Sequence, residues 1–334
     1  MTALAGNDVF SPSTPYEQRT VRSADGTAIN VELYGNPEGP TVVLVHGWTC
    51  NISFWVLQIK ALAPDHRVVT YDQRGHGASA EPGPAGFSPA GLADDLSAVL
   101  DDVLDDGERA VLGGHSMGAM TMIAFAGRHA EQLRRQVAAG VMASTGMNEL
   151  MPRSTIVPMP QVVAKRVIPL STFVIGQPQR GVNGMSKAVL KYASLSRTAD
   201  PAQVEFCARV VQDCSPRTRR EFARMFSRMD LSGDIAEFSA PTVVIAGARD
   251  KLTPVWHTRR LAAQLPNLVD SVELPHDGHM TPIQSPEEVS GALRTMVRKH
   301  LNRTVSVVEA APVVDVTAAP TSAAEPSASS SENG

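Results

Sequence analysis

The 334-residue chain is short of several features that would assign it at once. It has only three cysteines, Cys50, Cys207 and Cys214, an odd number without the spacing of a disulfide framework. A reducing compartment is the simpler expectation. No uncharged apolar run reaches the roughly 18 residues that a membrane-spanning helix needs, so an integral membrane protein is not expected. The first residues lack both a basic start and a sustained apolar stretch, and Asp8 interrupts them, which points to the cytoplasm. Neither a Gly-x-Gly-x-x-Gly after a first strand nor a Gly-Lys-Ser/Thr phosphate loop occurs, and no metal or organic cofactor is implied. A net charge of -4, with 43% hydrophobic and 19% charged residues, gives no global attraction to nucleic acid. Any charge argument is therefore local.

What is present alternates. Short β-branched runs stand at residues 31–34, 41–45, 67–71, 109–113, 137–143, 242–246 and 271–274, most of them apolar throughout. Strands of that kind are buried on both faces, as in a mainly parallel sheet between helices. Helical patterns fall between them at 54–63, 89–104 with Ser88 as N-cap, 117–129, 256–264 and 286–301. The expected fold class is α/β, an open sheet flanked by helices. From Met147 to Ser239 no strand pattern appears, so this stretch reads as a helical cap inserted between two strands. The core is then 15–146 plus 240–301, the cap 147–239, and the two ends, 1–14 and 302–334, read as disordered. No internal repeat is visible.

The chemistry concentrates at Gly113-Gly114-His115-Ser116-Met117-Gly118, directly after a strand and directly before a helix. A serine on so sharp a turn needs small neighbours, and Gly114 and Gly118 supply them. A serine hydroxyl is a poor nucleophile at neutral pH and requires a histidine base and an acid that orients it. Strand-end loops supply both downstream: Asp250 in Arg249-Asp250-Lys251-Leu252-Thr253-Pro254, and His279 in His276-Asp277-Gly278-His279. Alternatives stay open at this point. Asp250 could instead cap a helix starting near Pro254. His276 could be the base, or pair with His279 at a metal, although no further ligand stands nearby. Backbone N–H groups of Trp48, in Val45-His46-Gly47-Trp48, and of Met117 are candidates for an oxyanion hole.

Taken with the turn Asp72-Gln73-Arg74-Gly75-His76-Gly77-Ala78-Ser79, these motifs resemble, in order, those of capped serine esterases and lipases of the α/β-hydrolase superfamily, over about Tyr16 to Leu301. The resemblance implies an α/β-hydrolase fold with a mainly parallel central sheet, an inserted helical cap, and the chain order Ser116, Asp250, His279 for the triad. It leaves the Asp72 to Ser79 turn as scaffold behind the site, His76 included. The superfamily can place the acid after the strand before the cap, but Ala143-Ser144-Thr145-Gly146 has no carboxylate. Ser116 stands where epoxide hydrolases and haloalkane dehalogenases have aspartate. The implied activity is hydrolysis of a carboxylic ester. Alternatives are a cofactor-free haloperoxidase or perhydrolase, an acyltransferase on the same triad, or a small-molecule receptor that keeps the fold.

The cap adds a local charge imbalance, with thirteen Lys and Arg against six Asp and Glu from Met147 to Asp230. It also holds Met147, Met151, Met159, Met185, Met225 and Met229, flexible apolar side chains suited to a pocket wall. The expectation drawn from both is a small-molecule ester with an apolar acyl chain, and a basic outer face able to meet an anionic lipid surface.

Overall fold

A computed structural model describes residues 9–156 and 181–301. The tail after residue 301, the first eight residues and Met159 lie outside the described residues. Strands β1 (Glu17–Arg22), β2 (Ala28–Gly35), β3 (Thr41–Val45), β4 (Arg67–Tyr71), β5 (Ala110–His115), β6 (Val137–Ala143), β7 (Thr242–Gly247) and β8 (Leu268–Leu274) form one sheet in the order β1-β2-β4-β3-β5-β6-β7-β8. Only β1 with β2 and β2 with β4 pair antiparallel; every other pair is parallel.

The sheet is parallel because its central strands have no face to give to water. β3, β5, β6 and β7 are buried along their whole length. Alternate side chains enter opposite layers. Val43 and Val45 join a core with α2 (Pro89–Val103), α3 (Met117–Arg128) and α9 (Val255–Ala262), whereas Val42 and Leu44 meet α1 (Val56–Leu62) and α11 (Pro286–His300) on the other face. The expected cap on α2 is present, with Ser88 Oγ accepting the Gly91 N–H at 3.1 Å. The edges depart from the sequence expectation. β1 was unreadable because it lies at the sheet edge, alternates between half-buried and exposed, and buries only Val21. β8 begins three residues before its apolar run, with Leu268 and Val269 exposed at the opposite edge.

Between β6 and β7 the described residues form only helices, α5 (Leu150–Arg153), α6 (Gly184–Ser194), α7 (Pro201–Asp213) and α8 (Pro216–Phe226), followed by a 3₁₀ turn at Ile235–Glu237. α6 and α7 each start in a capping box, on Asn183 and Asp200. The two ends of this insertion meet: Asn148 and Asp230 form a β-bridge and Leu231 N–H donates to the Met147 carbonyl at 2.9 Å. Beyond that neck, Ile235 and Phe238 return to the core beside α3. At the other end of the chain, Phe10 stacks on Phe206 of α7, ring centroids 4.5 Å apart. No described helix is long and apolar enough to cross a membrane.

The turn after β4 is locked by a buried ion pair. Arg74, fully buried, places Nε and Nη2 at 2.7 Å from the two oxygens of Asp95 on α2, and donates to Asp25, Ser23 and the Gly86 carbonyl as well. Asp95→Ala strands that guanidinium without its bidentate partner. The expected loss is about 3–5 kcal/mol in urea unfolding; a loss below about 1 kcal/mol would show that Asp25 alone suffices.

Candidate active site

Four chain segments leave the carboxyl edge of the sheet and converge there, after β3, β5, β7 and β8, as ligand-binding loops of open α/β sheets do. The sharpest follows β5. Ser116 has φ 51° and ψ -115°, a region that L residues avoid, and it caps α3. Its N–H continues the sheet by donating to the Ala143 carbonyl at 2.9 Å. A Cβ on Gly118 would run into the Val45 carbonyl, and one on Gly114 would lie 2.7 Å from the Ala119 backbone, so strand, turn and helix approach only through glycine.

The β8 loop brings His279 over the serine. His279 Nε2 lies 2.9 Å from Ser116 Oγ, and its Nδ1 lies 2.7 Å from Asp250 Oδ2. With Nδ1–H donated to the carboxylate, Nε2 is left to accept the serine proton. All three residues are buried. Asp250 does not cap α9. Its Oδ1 accepts the N–H groups of Leu252 (2.8 Å) and Thr253 (2.9 Å), closing its own loop, while Oδ2 faces the imidazole. His276, by contrast, is exposed. Among the described residues no group of three or more His, Cys, Asp or Glu is placed to hold a metal ion. Asp277 is buried with its carboxyl pushed up by desolvation, and its main-chain carbonyl accepts the Arg249 N–H at 2.8 Å.

Three contacts around the histidine were not legible as site features. The Thr253 hydroxyl sits 2.8 Å from Asp250 Oδ2 and 3.0 Å from the Ser144 carbonyl, so its one proton serves one of them at a time. The main chain of His279 is held from both sides. His115 Nε2 meets its carbonyl at 2.9 Å, and the His279 N–H donates to the Ser194 carbonyl at the end of α6 at 2.8 Å. Only Thr253, inside the motif that carries Asp250, left a signal that could have been read.

The β3 loop completes the site. Neither the Trp48 nor the Met117 backbone N–H donates to an acceptor among the described residues, and Gly47 packs where a Cβ would stand 3.3 Å from Ser116 Cβ. The loop is shaped by the turn that the sequence marked as scaffold. His76 Nε2 accepts the Thr49 N–H at 3.1 Å, holding Thr49 at φ 63°. His46 Nε2 accepts the Gln73 N–H at 3.0 Å, and Asp72 accepts the N–H groups of Ile52 and Ala78, both at 2.9 Å. The Trp48 ring, half-buried, meets Phe226 of α8 edge-on at 5.4 Å.

The family model described as "Alpha/beta hydrolase family" matches residues 42–292. The chain belongs to the α/β-hydrolase family. Among relatives, it is 41% identical to the probable oxidoreductase EphD of Mycobacterium tuberculosis over 110 residues, 33% of this chain but only 18% of that protein's length. It is 27% identical over 268 residues to the putative carbamate hydrolase RutD of Caulobacter sp., covering 78% of this chain and 92% of the other. A thermophilic esterase from Thermogutta terrifontis shares the fold with a TM-score of 0.68 at 24% identity, over 85% of this α/β-hydrolase and 98% of the esterase.

The scaffold histidines of this α/β-hydrolase carry a pH dependence. Burial pulls His46 down to about 4, and burial together with neighbouring His46 pulls His76 down to about 3, from an ordinary 6.5. Both ring nitrogens that accept backbone N–H groups must be unprotonated. Between pH 6.5 and about 4 the unfolded chain therefore binds protons that the folded chain refuses, and stability falls as pH falls. Each histidine contributes about 1.4 kcal/mol per pH unit at most. The melting temperature is expected to drop between pH 7 and 4.5, and to drop less steeply in His76→Gln; equal slopes would remove His76 from the account.

Proposed function

We propose that the protein hydrolyses carboxylic esters through an acyl-serine intermediate, with Ser116, His279 and Asp250 as its catalytic triad. The observation that carries this reading is the unbroken relay from Ser116 Oγ to His279 Nε2 at 2.9 Å and from His279 Nδ1 to Asp250 Oδ2 at 2.7 Å, set on a strained turn. Ser116 Oγ attacks the acyl carbon as its proton passes to His279 Nε2. The oxyanion that forms is held by the Trp48 and Met117 N–H groups. The alkoxide leaves with the proton from His279, completing the acyl-serine. Water then gives a proton to His279 and adds to the acyl carbon, and the acid departs as Ser116 recovers its proton. Asp250 holds the imidazole in the required tautomer throughout, with no cofactor in any step.

An apolar acyl group fits the surroundings of the oxyanion loop. Met147, Met225, Met229 and Phe226 lie in the core cluster against which Trp48 and Met151 pack. Met185, in contrast, is 75% exposed. The three cysteines are free and buried, which suits the cytoplasm, where we place the protein.

Ser116→Ala is expected to abolish fluorophosphonate labelling without changing the melting curve, and full labelling of that variant would sink the assignment. Asp250→Asn should stay folded and lose about 10⁴-fold in kcat on a p-nitrophenyl ester, because an amide cannot enforce the tautomer. A loss of a few-fold would transfer the acid role to another carboxylate. Across p-nitrophenyl esters, kcat/KM should climb from acetate toward medium chains, each buried CH₂ contributing up to about 0.8 kcal/mol; a strict acetate preference would contradict an apolar acyl site.

A further inference from the structure

Among the described residues of the β6–β7 insertion, several cations are taken up by ion pairs. Lys187 and Arg209 pair with Glu205, Arg217 reaches Glu81 on the core, and Arg220 and Arg224 share Glu221. Four other cations are treated differently. Lys191 and Arg197, at the end of α6 and just after it, and Arg249 and Lys251, on either side of Asp250, line a single cavity of about 820 Å³. None of the four is ion-paired to a carboxylate among the described residues.

Two of these ammonium groups are fixed in place. Lys251 Nζ lies 3.3 Å from the Tyr192 ring centroid and Lys191 donates to the Ala199 carbonyl at 3.2 Å. Arg197 and Arg249 are exposed at the cavity wall, and among the described residues their guanidinium groups pair with no carboxylate. Among the described residues Asp250 is the one carboxylate on that wall, and it already spends both oxygens on Leu252, Thr253 and His279. Between the cations the wall is apolar, from Leu195, Pro254, Val255 and the Tyr192 ring. Four like charges drawn into one concavity repel one another and focus a positive potential there. An anion relieves that repulsion, and arginine forks match carboxylate and phosphate geometry. The volume is in the range of small-molecule sites.

We infer that this cavity binds an amphiphilic organic anion, a carboxylate or phosphate on an apolar body. The charged group meets Arg197, Arg249 and Lys251, and the body lies on Leu195, Val255 and the Tyr192 ring. An occupant bridges the end of α6, which holds the His279 main chain through Ser194, to the loop that carries Asp250. The inference does not rest on the esterase reading, since none of the cations it uses belongs to the Ser116, His279 and Asp250 triad. Its ligand can be a free anion or the headgroup of an anionic lipid, and the two sources share this chemistry.

Calorimetry on the full chain, and in parallel on Ser116→Ala, tests it with octyl phosphate as probe and octanol as the uncharged control. The expected result is saturable one-to-one binding of octyl phosphate in both proteins, with octanol weaker by about tenfold or more. Arg197→Ala/Arg249→Ala should weaken octyl phosphate by at least about tenfold with an unchanged melting curve, and Lys251→Gln, measured separately, should weaken it as well. Octyl phosphate that binds no better than octanol, or binds the variants as tightly as the parent, would overturn the proposal. Phosphatidylcholine vesicles with and without phosphatidylglycerol separate the sources. Binding only to the anionic vesicles, lost in the double variant, identifies a lipid headgroup; octyl phosphate binding without vesicle binding identifies a soluble anion. Activity lost in Ser116→Ala with binding kept leaves the site standing, whatever becomes of the esterase reading.

Discussion

A serine hydroxyl clears the edge of a parallel sheet only if the chain reverses within one residue, and Ser116 does so at φ 51°. Such a conformation costs of the order of 1–3 kcal/mol and persists only where the surroundings overdetermine it. Here they do. Ser116 keeps a ladder hydrogen bond to Ala143, α3 starts at the next residue, and Gly114 and Gly118 let strand and helix close to backbone contact. Gly118 lies against the Val45 carbonyl, so the turn at Ser116 and the loop after β3 share one contact. The spacing of β3, β5 and α3 is therefore set by the turn rather than the reverse.

His279, the proposed base, is held differently, from outside its own loop. His279 belongs to the β8 loop, yet its carbonyl is gripped by His115 of the nucleophile turn, its N–H by Ser194 of the insertion, and its ring by Asp250 after β7. Three distant stretches of chain thus fix one imidazole. The insertion is part of this arrangement: Gln284 Nε2 donates to Ser196 Oγ at 2.8 Å and Gln203 Nε2 to the Ile283 carbonyl at 3.0 Å, tying it to the chain that follows the histidine.

The convergence of Ser116, Asp250 and His279 was legible because each stands in a local pattern, small residues around a turn or a polar loop after an apolar run. The central strands were legible for the same reason, since a strand buried on both faces has an unmistakable composition. β1 was not, because an edge strand that opens on Glu17, Gln18 and Arg19 and buries only Val21 looks like a loop. His115 was invisible as a positioning group, its partner being a main-chain atom far along the chain. A charge count over the insertion is a coarser guide than geometry. It gives thirteen cations equal weight, although among the described residues ion pairs occupy several of them.

The neck at Asn148 and Asp230 has a consequence for how such a molecule can change. More than eighty residues depart from and rejoin the core at one bridged point, with Leu231 bonded to the Met147 carbonyl. Lengthening a loop whose ends are already pinned costs little entropy, roughly 0.6 kcal/mol for each doubling. β6 and β7 keep their register whatever the excursion contains. Inheritance can therefore rewrite the segment above the serine as a cassette, on condition that each version still presents one carbonyl to the back of His279.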